Sequence, residues 1–114
     1  MSVPNRKIIL IERSLLTLIC SGGSGRQLRK EIISRLRSHA FRSVEHRVLF
    51  DCLQAMPLDR PELMRELLPA RLVRAGFPDF DLAPFLEPSN LSRQEVGNRL
   101  EALTAAVSSA ETGD

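Results

Sequence analysis

Two apolar-striped segments, ERSLLTLI at residues 12–19 and SVEHRVLFDCL at residues 43–53, decide how this sequence folds. Both place apolar residues three and four positions apart, which is the spacing of one face of an α-helix. A strongly basic segment lies between them and ends before Phe41. This order of apolar helix, basic helix and apolar helix predicts a small helical interaction module.

The first striped segment extends into a helix predicted from Asn5 to about Cys20, and its apolar face is unusually wide. A wide face suits a central helix that packs on more than one side. The run SGGSG at residues 21–25 ends this helix, because consecutive glycines favour turns. A second helix is predicted from Arg26 to Ser38, with Leu28, Ile32, Ile33 and Leu36 on its inner side.

Three later helices carry recognisable start and stop signals. Ser43 is the predicted N-cap of the third helix, and Pro57 its end. DRPE at residues 59–62 has the spacing of a capping box and predicts a short fourth helix. Pro69 is expected to begin a further turn or two, closed by Gly76. SRQE at residues 92–95 is a second capping box and starts the last helix.

The segment from Phe77 to Pro88 is predicted to be an ordered, partly helical connection. A solvated linker rarely carries three phenylalanines, so Phe80, Leu82 and Phe85 are expected to fill the core. With no alternating strand pattern in the sequence, the prediction is an all-α compact bundle of about five to six short helices. Residues 1–107 form the single predicted domain, and residues 108–114 a frayed polar tail.

Composition is that of one ordinary globular domain. The chain has 114 residues, of which 43% are hydrophobic and 26% charged, and this balance argues against wholesale disorder. Its net charge of +2 is unevenly spread: residues 1–25 carry +2, residues 26–58 carry +4 and residues 59–114 carry −4. A domain with a basic middle and an acidic back half suits charged partner surfaces.

The cysteine pattern predicts a reducing, cytoplasmic setting. Cys20 and Cys52 each end an apolar stripe, where a free thiol acts as a small hydrophobe rather than as a disulfide or metal ligand. The one apolar run that resembles a signal peptide or membrane span, residues 8–20, is interrupted by Glu12 and Arg13. No membrane association is therefore expected.

No motif predicts catalysis. His39 and His46 are seven residues apart across a predicted helix break, and no cysteine or carboxylate cluster is expected to converge on them. The glycine-rich turn lacks both a preceding strand and the Gly-Lys-Ser/Thr of a nucleotide-binding loop. The sequence therefore predicts neither an enzyme nor a binder of a cofactor, metal ion or small molecule.

A set of basic residues in the middle of the chain is the one predicted surface feature that suggests a binding role. These residues are expected on the outer side of the second helix and beyond it. They could contact an acidic protein face or nucleic-acid phosphates, or they could form an ordinary solvated face. No aromatic residues interleave them as a base-stacking platform would require. The candidate partner-binding residues are Arg26, Arg29, Lys30, Arg35, Arg37, Arg42 and Arg47.

The two striped segments resemble a known helical domain. An acidic residue opening a leucine-rich first helix, as in Glu12 to Leu18, and a Phe shortly before EHRVLF at residues 45–50, are similar to the domain shared by two bacterial replication proteins. These are the C-terminal helicase-binding region of DNA primase and the N-terminal domain of the replicative helicase. The resemblance covers roughly Lys7 to Leu103.

This resemblance implies a non-catalytic bundle that binds or modulates the replicative DNA helicase during DNA replication. It also implies that Glu12, Phe41, His46, Arg47 and Phe50 hold mainly structural positions. The primase version continues into a long helical hairpin, so this chain is expected to be the bundle portion or a stand-alone relative. Two alternatives stay open: a nucleic-acid-binding domain using the basic second helix, and a self-associating helical adaptor.

Overall fold

The helices of the computed structural model confirm the predicted all-α bundle. The structure describes residues 5–21, 25–56, 60–87 and 91–112. In these ranges the chain forms five α-helices, a 3-10 helix and no strand. The α-helices are α1 (Asn5–Ser21), α2 (Arg26–Leu36), α3 (Val44–Gln54), α4 (Pro61–Arg74) and α5 (Arg93–Thr112), and the 3-10 helix is Ala83–Phe85.

Helix α1 is the centre of the bundle. It contacts all four other α-helices and the 3-10 helix. This arrangement follows from the wide apolar face that the sequence predicts, because a helix surrounded by neighbours must be apolar on several sides. The residues of α1 that are buried in the core are Ile8, Ile11, Leu15, Leu16, Leu18, Ile19 and Cys20.

Helix α4 contacts α1 and supplies a hydrogen-bond donor to a carbonyl group at its C-terminal end. The Arg65 side chain donates a hydrogen bond from Nε to the Cys20 carbonyl oxygen over 3.2 Å. The last carbonyls of a helix have no partner within the helix, and a nearby cation also interacts favourably with the helix dipole. This contact fastens the end of α1 to α4.

Helix α3 begins as predicted. The Ser43 hydroxyl accepts a hydrogen bond from the His46 backbone amide, and Glu45 lies in the first turn. The helix ends at Gln54. The predicted stop at Pro57 lies outside the described residues, as does most of the predicted glycine-rich turn, residues 22–24.

Helix α4 differs from the prediction in its middle. A new turn was expected to begin at Pro69, but the helix runs continuously through this residue. A proline in a helix interior removes one hydrogen bond and strains the preceding turn. Here Leu68 and Leu72 are both buried in the core, so tertiary packing on either side holds the helix together. Arg60 occupies the N-cap without a side-chain bond, and Asp59 lies outside the described residues.

The end of α4 confirms the predicted role of Gly76. This residue has φ of 93°, a conformation that favours glycine. Its amide donates to the Val73 carbonyl, and the Phe77 amide donates to the Leu72 carbonyl over 2.9 Å. This pair of bonds is the Schellman motif, which satisfies carbonyls at a helix C-terminus.

The segment after Gly76 is ordered and packs on the core as predicted. Phe85 is buried in the 3-10 helix, while Phe80 and Leu82 are partly buried against the core. Pro88 lies outside the described residues. The connection therefore packs against α1 and is not a solvated linker.

Helix α5 begins at the predicted cap and is longer than predicted. The Ser92 hydroxyl accepts a hydrogen bond from the Glu95 amide over 3.1 Å. The helix continues to Thr112, past residue 108, where a frayed tail was expected to start. The predicted domain boundary itself stays a prediction.

The two cysteines are buried free thiols, as predicted. Burial raises the pKa of Cys20 to about 12, despite the opposing charge of Arg65. Burial also raises the pKa of Cys52. Because the thiolate is the reactive form, both side chains are expected to be inert at neutral pH. Among the described helices, none has the length and apolarity needed to cross a membrane.

Two glycines with opposite backbone roles provide a test of the fold. We expect Gly76→Ala to lower the free energy of unfolding by about 1 kcal/mol, because its positive φ strains any residue with a Cβ. Gly97→Ala, inside α5, should raise it by about 0.5–1 kcal/mol through better helix propensity. An added Cβ meets no atom within 4 Å at either site, so packing does not obscure the comparison.

Urea denaturation of both variants and of the unaltered protein measures the effect. Equal shifts of the same sign would contradict the assignment of Gly76 as the helix-ending residue.

Candidate functional site

A carboxylate lies inside the core at Glu12. Its side chain is 0% exposed, although it carries a charge and lies on the central helix. The position follows from helix geometry, since Glu12 is four residues after Ile8 and three before Leu15, both of them buried. A carboxylate removed from water must find hydrogen-bond donors in the protein.

Three donors surround this carboxylate. His39 donates from Nε2 to Oε2 over 2.6 Å, and the backbone amide of Arg42 donates to the same oxygen over 2.8 Å. His46 donates from Nδ1 to Oε1 over 3.0 Å. An ionised carboxylate only accepts, so both ring nitrogens carry a proton. We call Glu12, His39, His46 and the Arg42 amide the Glu12 cluster.

The Glu12 cluster adds to the sequence prediction. No cysteine or carboxylate cluster was expected at His39 and His46, and a single carboxylate, Glu12, joins them. The signal was present in the sequence, because Glu12 occupies an inner position of the α1 stripe, and a buried acid requires partners. The His39 ring, from the connection after α2, bonds to α1. His46 lies in the first turn of α3, and its ring bonds to the same carboxylate.

Hydrogen bonding determines the ionisation of Glu12. Burial alone would raise the pKa of its carboxyl group. The hydrogen bonds from His39, His46 and the Arg42 amide, together with the charge of His39, outweigh burial and lower the pKa to about 2. Glu12 is therefore ionised throughout the physiological range and acts as a fixed acceptor.

Aromatic rings enclose the Glu12 cluster on two sides. The His39 ring meets Phe41 edge-on at 4.9 Å between centroids, and Phe41 meets Phe50 at 5.2 Å. On the other side His46 meets Phe85 edge-on at 5.8 Å. The guanidinium of Arg13 lies 5.7 Å from the centre of the Phe85 ring. Edge-on contacts of this kind hold rings in one orientation.

The Glu12 cluster is built to hold structure. The side chains of His39 and His46 are only 5% and 7% exposed, and Glu12 is 0% exposed. The second ring nitrogen of His39, Nδ1, is buried and has no hydrogen-bond partner among the described residues. Within the described ranges, no three His, Cys, Asp or Glu side chains are arranged to hold a metal ion.

The predicted basic residues mostly lie on the surface. The side chains of Lys30, Arg35, Arg37, Arg42 and Arg47 are exposed. Arg26 begins α2, but its side chain lies outside what the structure describes. Arg29 is the exception, because it is only 4% exposed.

The burial of Arg29 corrects its predicted place on the outer face of α2. It lies three residues before Ile32, four before Ile33 and seven before Leu36, all of which are buried. Helix periodicity therefore puts Arg29 on the inner face. The prediction placed Arg29 on the outer face because of its charge and did not use its position in the helix.

A cavity of about 350 Å³ brings two of the exposed arginines together. It lies between the connection that follows α2 and the outer face of α3. Arg37 and His39 contribute from the connection, and α3 contributes Arg47, Phe50, Asp51 and Gln54, which share one face at spacings of three and four residues. We call this space the α2–α3 cavity.

All five phenylalanines are described, and none is exposed; Phe41 is partly buried beside the α2–α3 cavity. An aromatic platform for stacked bases needs exposed rings. The arrangement thus favours binding through charges and a partly apolar cavity over binding through stacked bases.

No protein-family model matches this sequence, and neither curated proteins nor solved structures compared with it give a match. The resemblance to the primase and helicase domains therefore stays a prediction that depends on the quoted residues alone.

Removal of the buried charge tests the Glu12 cluster. We expect Glu12→Gln to lower the free energy of unfolding by about 3 kcal/mol, because an amide cannot accept from all three donors and its own NH₂ faces them. Chemical denaturation at neutral pH measures the change. Glu101→Gln is the matched control: Glu101 is exposed on α5, and its replacement should change stability by less than about 0.5 kcal/mol. Equal effects of the two substitutions would contradict the structural role of Glu12.

Acid should weaken the fold through the same carboxylate. The folded pKa of Glu12, about 2, is below its ordinary value of 4.5. The stabilisation is thus complete above pH 4.5, decreases below it, and is lost as pH falls through about 2. The shift corresponds to on the order of 3 kcal/mol. The carbon-13 shift of the Glu12 carboxyl group should titrate with a midpoint near 2. A midpoint at or above the ordinary value would contradict the prediction.

Proposed function

We propose that this chain is a non-catalytic protein-interaction domain of the DNA primase type, which binds or modulates the replicative DNA helicase during DNA replication. The proposal makes the exposed basic residues of α2 and the following connection the contact surface. Its origin is the resemblance carried by residues 12–18 and 41–50.

One observation carries the proposal. Glu12 lies 34 residues before His46, yet it bonds to His46 in the Glu12 cluster, and Phe41 contacts Phe50 in its aromatic surroundings. Residues that maintain the packing of a domain are expected to contact one another, and these contacts support the proposal.

The fifth residue of the set, Arg47, is exposed and lines the α2–α3 cavity. The structure therefore gives it no core role, in contrast to what the resemblance implies. An exposed arginine beside a partly buried aromatic ring is typical of protein interfaces, in which Arg and aromatic residues are enriched.

Binding to the replicative helicase of the same organism tests the proposal. We expect the unaltered domain to bind, and Lys30→Glu with Arg35→Glu on α2 to weaken binding about tenfold. The matched control is Arg6→Glu with Lys7→Glu, which reverses two exposed charges on α1 and should leave binding unchanged. Calorimetric titration gives the affinity, and circular dichroism checks that each variant is folded.

Absence of binding at concentrations up to about 100 μM would overturn the proposal. Equal weakening by both pairs of charge reversals would remove α2 from the contact surface.

A nucleic-acid-binding function is the second candidate, because five exposed basic side chains lie on α2 and the residues after it. Binding through several phosphates must weaken steeply as salt rises. An oligonucleotide that binds at low salt with such a dependence, and that competes with the helicase, would favour this candidate.

A further inference from the structure

We propose that the α2–α3 cavity receives a short acidic and apolar segment of the protein partner. In this arrangement a partner carboxylate lies between Arg37 and Arg47, and an adjacent apolar side chain packs against Phe41 and Phe50. The inference rests on the proposed function, in that it names where a protein partner is held and by what chemistry.

The two guanidinium groups provide the first argument. Arg37 follows the last residue of α2 and Arg47 lies on α3, so different parts of the chain bring them to the same cavity. Both side chains are exposed, and neither has an ion-pair or hydrogen-bond partner within the described ranges. Arginine donates two parallel hydrogen bonds to a carboxylate, which makes such a pair a suitable binding site for an acidic side chain.

The apolar part of the lining provides the second argument. Leu36, Ala40, Phe41 and Phe50 contribute to the same cavity. Its volume of about 350 Å³ is at the lower end of the range for ligand pockets, which is about 300–1,000 Å³. An ion or a lone charged group uses only the cationic side of this space. A peptide that presents an acid next to an apolar residue uses both.

Asp51 distinguishes a peptide from a nucleic acid. It is exposed, lines the same cavity as the two arginines, and accepts a long hydrogen bond, 3.5 Å, from Gln54. A carboxylate repels the phosphates of a nucleic-acid backbone. A peptide, in contrast, carries backbone N–H groups that can donate to Asp51 while its own carboxylate binds arginine. The mixed charges therefore favour a protein partner.

Contacts with the core hold the wall of the α2–α3 cavity in place. His39 lines the cavity and is fixed by its 2.6 Å hydrogen bond to Glu12. Its ring meets Phe41, which in turn meets Phe50. A wall whose side chains are already ordered costs less entropy on binding. The Glu12 cluster thus preorganises the cavity.

A titration of the full nitrogen-15-labelled chain with defined peptides tests the inference. The probe is the capped peptide Gly-Glu-Glu-Leu-Phe-Gly. We expect its chemical-shift changes to concentrate at residues 36–41 and 47–54, and its affinity to fall at least about fivefold, which is about 1 kcal/mol, when Gln replaces both Glu or Ser replaces Leu and Phe. Changes confined to other parts of the chain, or no saturable change, would overturn the inference.

Charge reversal of the arginines is the second arm. Arg37→Glu with Arg47→Glu should weaken peptide binding at least about tenfold. The matched control, Arg6→Glu with Lys7→Glu, changes the net charge equally outside the cavity and should leave the affinity within about twofold. Single Arg37→Gln and Arg47→Gln variants serve if the double variant does not fold. Equal affinities for the cavity and control variants would overturn the inference.

An oligothymidylate titration is the third arm and separates the two classes of partner. We expect it to leave the cavity amides unshifted. If it shifts them more strongly than the peptide, with a steep salt dependence, the cavity binds nucleic acid and the inference fails.

The helicase measurement keeps this inference distinct from the proposed function. If the helicase binds the unaltered chain and the Arg37 and Arg47 variants equally well, the cavity is not the contact and the proposed function stands. If the peptide occupies the cavity but the helicase does not bind, the proposed function fails and the cavity remains a peptide site.

Discussion

The buried charge of Glu12 is the constraint on which the rest of this structure depends. A carboxylate on the central helix, with none of its surface exposed, is tolerated only when donors replace water. Those donors come from the connection after α2 and from the first turn of α3, so one side chain specifies how these parts of the chain meet α1. Apolar contacts alone would allow more than one packing. Directional hydrogen bonds to a single carboxylate reduce that choice, since each bond requires its own geometry.

The hydrogen bonds of Glu12 also position residues near the protein surface. His39 cannot move without breaking its bond to Glu12. The His39 ring contacts Phe41, which in turn contacts Phe50, so these two rings are held in place as well. The residues that line the α2–α3 cavity are thus supported by the core. Interaction surfaces built on such support bind with less loss of conformational freedom. Because none of the five phenylalanines is exposed, a cavity whose shape is fixed in advance would contribute most to the proposed binding of a partner.

Local signals in the sequence account for three of the helix ends in the described residues. Ser43, Ser92 and Gly76 act as caps because the hydrogen bonds that define a helix end join residues only a few positions apart. The prediction at Pro69 was wrong for the opposite reason. The packing of Leu68 and Leu72 outweighs the preference of proline against a helix interior, and helix propensity does not include tertiary packing. Arg29 shows a further limit: its charge suggested the surface, whereas its helical position placed it inside.

By itself, the sequence determined the helical class, the central position of α1 and the caps at Ser43, Ser92 and Gly76, since these depend on periodicity and on short-range bonds. Only the tertiary structure decided which polar groups meet. Glu12 lies 27 residues from His39 and 34 from His46, and nothing in local spacing relates them. The α2–α3 cavity also exists only after the connection that follows α2 lies beside α3. Contacts between distant residues depend on how helices are oriented in the bundle, and that orientation follows from burying the apolar faces together with the one carboxylate that must be satisfied.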